Sequence, residues 1–79
     1  MEIYKNLSGQ SNVSRYEIGQ DYIIVEFKTK GKDGCNTYKY SYMSAEQSNV
    51  ENMKQLAIAG FGLNSFIDKQ VRKRYERKW

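Results

Sequence analysis

In the first half of the chain, apolar and polar positions alternate every second residue. Asp21 to Lys28, DYIIVEFK, sets Ile23, Val25 and Phe27 against Tyr22, Ile24, Glu26 and Lys28, the pattern of a strand with one apolar face. Val13–Ile18 precedes it across Gly19-Gln20 and predicts a hairpin partner. Thr37–Met43 follows the polar loop KTKGKDGCN, whose Asp33-Gly34 pair is a turn signal. With a short first strand at Ile3–Lys5, the expectation is an antiparallel sheet of three or four strands.

The period then changes. Ser44 followed by Gln47 forms a capping-box pattern, and Val50, Met53, Ala57 and Phe61 fall on one helical stripe, predicting a helix from about Ala45 to Ala59. Gly60 and Gly62 can take the left-handed conformation that ends helices, and Asn64 or Ser65 can cap the next helix, from about Ser65 to near the C-terminus. Strands first and two helices after predict one α+β domain over residues 1–79, with both helices on one sheet face.

On that second helix, counted from Leu63 at 100° per residue, Phe66, Ile67, Val71 and Tyr75 form a stripe for docking on the sheet. Arg74 falls in the middle of this stripe, with Gln70 and Arg77 beside it, whereas Lys69, Arg72 and Lys73 lie on the opposite side. Either the helix overruns its core before Arg74, or the stripe continues into a second subunit whose cleft the guanidinium lines. Tyr38, Tyr40 and Tyr42 share a period of two and therefore one face of their strand. That face is either core or an open platform on which bases stack.

Charge sharpens the reading of the C-terminus. Through Ile67, seven cations balance seven anions, so the net +4 lies wholly in the last twelve residues, where six Lys and Arg meet only Asp68 and Glu76. Localised positive charge attracts polyanions. In VRKRYERKW, Arg74 and Arg77 are interleaved with Tyr75 and Trp79. Arginine suits bidentate phosphate contacts and stacking on aromatic planes. Arg72, Arg74, Tyr75, Arg77 and Trp79, with Tyr38 and Tyr40, are therefore the candidate ligand-binding residues, although Lys69, Arg72 and Lys73 also suit a solvated helix end.

Other chemistries find little support. The chain has no histidine, its carboxylates form no recognisable motif, and Cys35 is its single thiol. General acid–base catalysis, a zinc site of the usual ligand sets and an internal disulfide are not expected, nor is a cofactor. Gly60-Phe61-Gly62 follows a predicted helix, so it reads as a cap and not a phosphate loop. No apolar run approaches the roughly 20 residues that span a bilayer, and MEIYKNLSG lacks a leader pattern. The expectation is a cytoplasmic, non-enzymatic protein, and its small core suggests a homo-oligomer.

Ser11-Asn12-Val13, Tyr16, the strand ending at Phe27, the Gly34 turn, Tyr38-Lys39-Tyr40, Leu56, Gly60, Asn64 and Ile67 together resemble the KTSC domain. That short family is named for a C-terminal appendage of some lysyl-tRNA synthetases and also occurs free-standing in bacteria and phages. Met43-Ser44 stands where the family has Val-Pro, Ile58 replaces a small polar residue, and the loop before Tyr38 is longer. The resemblance implies a small sheet-and-helices fold and RNA binding without catalysis. Two other readings stand beside it. One is sequestration of a small nucleotide, such as a cyclic immune signal, in an inter-subunit cleft, by analogy with phage sponge proteins. The other is a protein-interaction or assembly module with no nucleotide ligand.

Overall fold

The alternating segment forms the middle of the sheet. In the computed structural model, which describes residues 1–79, it is β3 (Tyr22–Phe27), with Ile23 and Val25 fully buried. It pairs antiparallel with β2 (Val13–Ile18) and with β4 (Thr37–Ser41). The short β1 (Glu2–Ile3) flanks β2, and β5 (Arg77–Lys78) flanks β4. The five strands thus lie in sequence order, all antiparallel. Register is interrupted between Val13 and Arg15. Such a bulge bends its strand, here beside Asn12 and Phe27.

Ser41 ends β4 by capping the single turn α1 (Tyr42–Ala45): its hydroxyl accepts from Ser44 N–H while Ser44 Oγ accepts from Ser41 N–H at 3.1 Å. The capping box therefore pairs Ser41 with Ser44, one turn earlier than the expected Ser44 and Gln47. It also withdraws Tyr42 from the strand, so Tyr42 does not share the face of Tyr38 and Tyr40. Its hydroxyl instead donates to Glu51 at 2.6 Å. Between α1 and α2 (Gln47–Ala59), Glu46 takes φ 77°, a left-handed value rare outside glycine.

Helix α2 buries Val50, Met53 and Ala57 against the sheet. It ends at Gly60, whose φ of 77° is the expected left-handed cap, so Phe61 falls beyond the helix and is exposed. Gly62, also left-handed, precedes α3 (Leu63–Phe66), and neither Asn64 nor Ser65 serves as its cap. The final segment departs most from expectation. From Ile67 to Val71 the helix widens to a π-helical turn, and the chain then leaves it. Arg74 N–H closes a turn onto Val71 C=O, and Glu76 N–H donates to Lys39 C=O at 2.6 Å. The chain continues as β5 along the edge of β4.

A helix to the C-terminus is thus replaced by a helix ending at Val71 and a fifth strand. The core lies between the helices and the sheet face bearing Val13, Ile23, Val25 and Tyr40. The other face is polar, with Arg15 bidentate to Glu26 at 2.8 Å and Lys39 Nζ 4.7 Å from the centroid of Tyr22. From the middle of α2, Lys54 anchors the helix to the β2–β3 turn by donating to Gln20 C=O at 2.9 Å.

Candidate functional site

On the core-facing side of β4, burial falls from Tyr40 to Tyr38. Tyr40 lies under the helices with 1% of its surface exposed, whereas Tyr38, two residues earlier on the same face, is half-buried. The last helical turn ends too soon to cover it, and an open cleft of about 370 Å³ remains, near the lower bound of small-molecule sites. Its floor is aromatic. Tyr38 packs edge-on to Phe27 with ring centroids 5.6 Å apart and to Tyr75 at 5.2 Å, and lies nearly parallel to Tyr40 at 6.4 Å.

Two cationic walls face this floor. Arg72 and Lys73 follow the π-helical turn, which also carries Asp68, and the β3–β4 loop supplies Thr29, Lys30 and Gly31. Lys30, Arg72 and Lys73 are exposed and enter none of the five ion pairs of the chain, and neither does Asp68. Three cations against one carboxylate leave the cleft at net +2. Asn12, a second neutral polar group beside Thr29, donates its side-chain amide to Thr29 Oγ1 at 3.0 Å.

The Tyr40 hydroxyl takes part in none of the side-chain hydrogen bonds of the protein, yet no buried polar side-chain atom lacks a partner. The small exposed part of Tyr40 is therefore its hydroxyl, at the bottom of the cleft it lines. Burial above all, and then the Tyr38 phenol, Asp68 and Tyr75, push its ionisation well above the ordinary tyrosine range. The phenol stays protonated and is a hydrogen-bond donor at any physiological pH. Cys35, partly buried, sits at the rim.

Of the residues singled out in the sequence, Tyr38, Tyr40, Arg72 and Tyr75 come together here. Arg74, Arg77 and Trp79 do not. Arg74 points to the α1–α2 junction, its Nη1 2.8 Å from Glu46 Oε2. The reason for placing a ligand between subunits, an arginine within an apolar stripe, disappears with the helix that defined the stripe. Arg77 is the register partner of Lys39 on the outer sheet face, where its guanidinium stacks 5.0 Å from the ring of Trp79. Tyr40 is core and cleft floor at once, so the tyrosine face is neither a fully open platform nor fully covered.

Phe27, Lys30, Asp68 and Lys73 line the cleft without having been singled out. The cation-rich loop KTKGKDG was a usable signal, because a loop joining β3 to β4 must return beside Tyr38. Lys78 lies on the cleft side of the sheet opposite Tyr38, paired with Asp33 and with its Nζ 5.4 Å from the centroid of Tyr75. Asp33, and next the Tyr75 phenol, raise its ionisation well above the ordinary lysine range.

No group of three or more His, Cys, Asp or Glu side chains is placed to hold a metal ion, and no helix is long and apolar enough to cross a membrane. Searches against protein-family models, curated proteins and solved structures give no match to this chain.

Proposed function

We propose that this chain is a non-catalytic binding protein for a nucleotide-type ligand. A planar base stacks among Tyr38, Tyr75 and Phe27, and the phosphate meets Lys30, Arg72 and Lys73. One observation carries this reading: three cations without ion-pair partners face an aromatic cluster across a single cleft. A base stacked on an aromatic side chain contributes about 1–3 kcal/mol, and a charge-assisted hydrogen bond to phosphate about 1.5–3 kcal/mol. The resemblance to the KTSC domain favours RNA as the source of the base. A volume of about 370 Å³ favours one nucleotide at a time, which suits either an RNA base turned out of its strand or a small nucleotide held in sequestration.

Titration calorimetry against 5′-nucleotides at low and moderate salt tests the reading. Arg72→Ala with Lys73→Ala is expected to weaken binding about tenfold or more, with the melting temperature unchanged because both side chains are exposed. Affinity is also expected to fall with salt. Binding that survives the double substitution and ignores salt would contradict it.

A second reading has its own observation. Met1, Tyr16, Ile18 and Ile58, with Glu2 and Glu17 beside them, line a hollow of about 420 Å³ on the β1–β2 side of the molecule, away from the cleft, an apolar patch with a charged border of the kind that serves self-association. The homo-oligomer expected from the small core would form there. Sedimentation of Ile18→Asp beside the unaltered chain tests this, a shift from oligomer to monomer being the expected result and identical sedimentation the contrary one.

A further inference from the structure

Asp68 is the one carboxylate in a cleft otherwise suited to phosphate. Its ordinary roles are unfilled. Arg72, four residues on and well spaced for an ion pair on a helix, does not engage it, and it accepts no hydrogen bond from another side chain. It is close enough to Tyr40 to oppose ionisation of that phenol, so its charge is felt at the floor where the base would lie. For a ligand that offered only phosphate, this carboxylate would be a repulsive element.

We propose that Asp68 reads the base and that the ligand is a guanine nucleotide, an inference that rests on the nucleotide reading above. Guanine presents two adjacent donors on its pairing edge, N1–H and the N2 amino group, which together match the two oxygens of one carboxylate. Adenine places the N1 acceptor beside its amino donor and meets a carboxylate with repulsion at one of the two positions. Cytosine has the same mismatch at N3, and uracil offers a single donor between two carbonyls. The protonated Tyr40 hydroxyl supplies a donor for an acceptor such as guanine O6, and no protein group competes for it. A free guanosine phosphate and a guanosine in an RNA strand share this chemistry.

The test is calorimetry of the full chain with 5′-GMP, 5′-IMP and 5′-AMP, and with short RNA oligomers containing or lacking guanosine, repeated on Asp68→Asn. GMP should bind at least about tenfold more tightly than AMP, with IMP, which lacks the N2 amino group, between them. Asp68→Asn should narrow or reverse that order, because an amide can pair with adenine through both its donor and its acceptor. As Asp68 is exposed, the variant should retain its melting temperature. Mononucleotide binding equal to that of the oligomers would assign the ligand as free nucleotide, and guanosine-dependent binding of oligomers alone would assign RNA. Equal affinity for GMP and AMP, unmoved by Asp68→Asn, would overturn the guanine assignment and leave the nucleotide reading standing. No binding of any of these ligands would overturn both.

Discussion

Tyr40 shows how one side chain can serve the core and the cleft together. Its ring is buried among Ile23, Val71 and their neighbours, while its hydroxyl faces the cleft without a protein partner. The two parts can therefore be separated by substitution. Tyr40→Phe should leave thermal stability within about 0.5 kcal/mol of the original, since no hydrogen bond within the protein is lost, but should weaken nucleotide binding. Tyr40→Ala should cost about 3–5 kcal/mol through the cavity it leaves, a large part of the roughly 4–12 kcal/mol expected for a domain of this size. Chemical denaturation of both variants would check the pair. A Tyr40→Phe variant that is strongly destabilised would mean the hydroxyl has a structural partner.

At the scale of elements, the strands and the α2 helix were legible because their periodicities agree with their burial. Ile23 and Val25 alternate into the core as the sequence requires, and Gly60 ends α2 with the left-handed φ that glycine takes readily. The last nine residues were not legible for the opposite reason. Arg, Lys and Glu are good helix formers and their spacing supports i,i+4 pairs, but local preference is weak beside the unsatisfied edge of β4. Leaving the helix at Val71 lets Trp79 C=O accept from both Asn36 N–H and Thr37 N–H at 2.9 Å, and Trp79 N–H donate to Thr37 C=O. That exchange also relieves the exposed edge, which would otherwise invite pairing with another chain. Amide hydrogen exchange distinguishes the alternatives: Asn36, Thr37 and Trp79 amides should exchange slowly, whereas a helical C-terminus would leave the first two fast. The cleft shared this fate, because Arg74 was located by a helical angle that ceases to apply beyond the π-helical turn.

At the scale of the whole molecule, the six cations of the last twelve residues are divided four ways by the fold. Arg74 and Lys78 are neutralised by Glu46 and Asp33, Arg77 lies on the outer face with Trp79, Lys69 stays exposed on the π-helical turn outside the cleft, and Arg72 and Lys73 remain for the cleft. The acidic side of this network should appear in the pH dependence of stability. Arg15 holds Glu26 below the ordinary carboxylate range, Lys54 and then Tyr42 do the same for Glu51, and Lys78 and then the Cys35 N–H for Asp33. Carboxylates with depressed ionisation contribute stability that is fully present above their unfolded-state values, near about 3.9–4.3, and is lost as pH falls through the folded-state values. The melting temperature should therefore be flat around neutrality and decline below about pH 4. Glu51→Gln should lower it at neutral pH and make the acid decline shallower, and an unchanged acid decline would remove Glu51 from that account.

Ligand is expected in the cleft and not along the basic tail as such. The most direct measurement is an amide and side-chain NMR titration of the isotopically labelled chain with 5′-GMP. Shift changes should concentrate on Phe27, Lys30, Tyr38, Tyr40, Tyr75 and the run from Asp68 to Lys73, leaving Arg74, Arg77 and the Trp79 indole unmoved. Changes centred on Arg77 and Trp79, or none anywhere at millimolar ligand, would contradict the account.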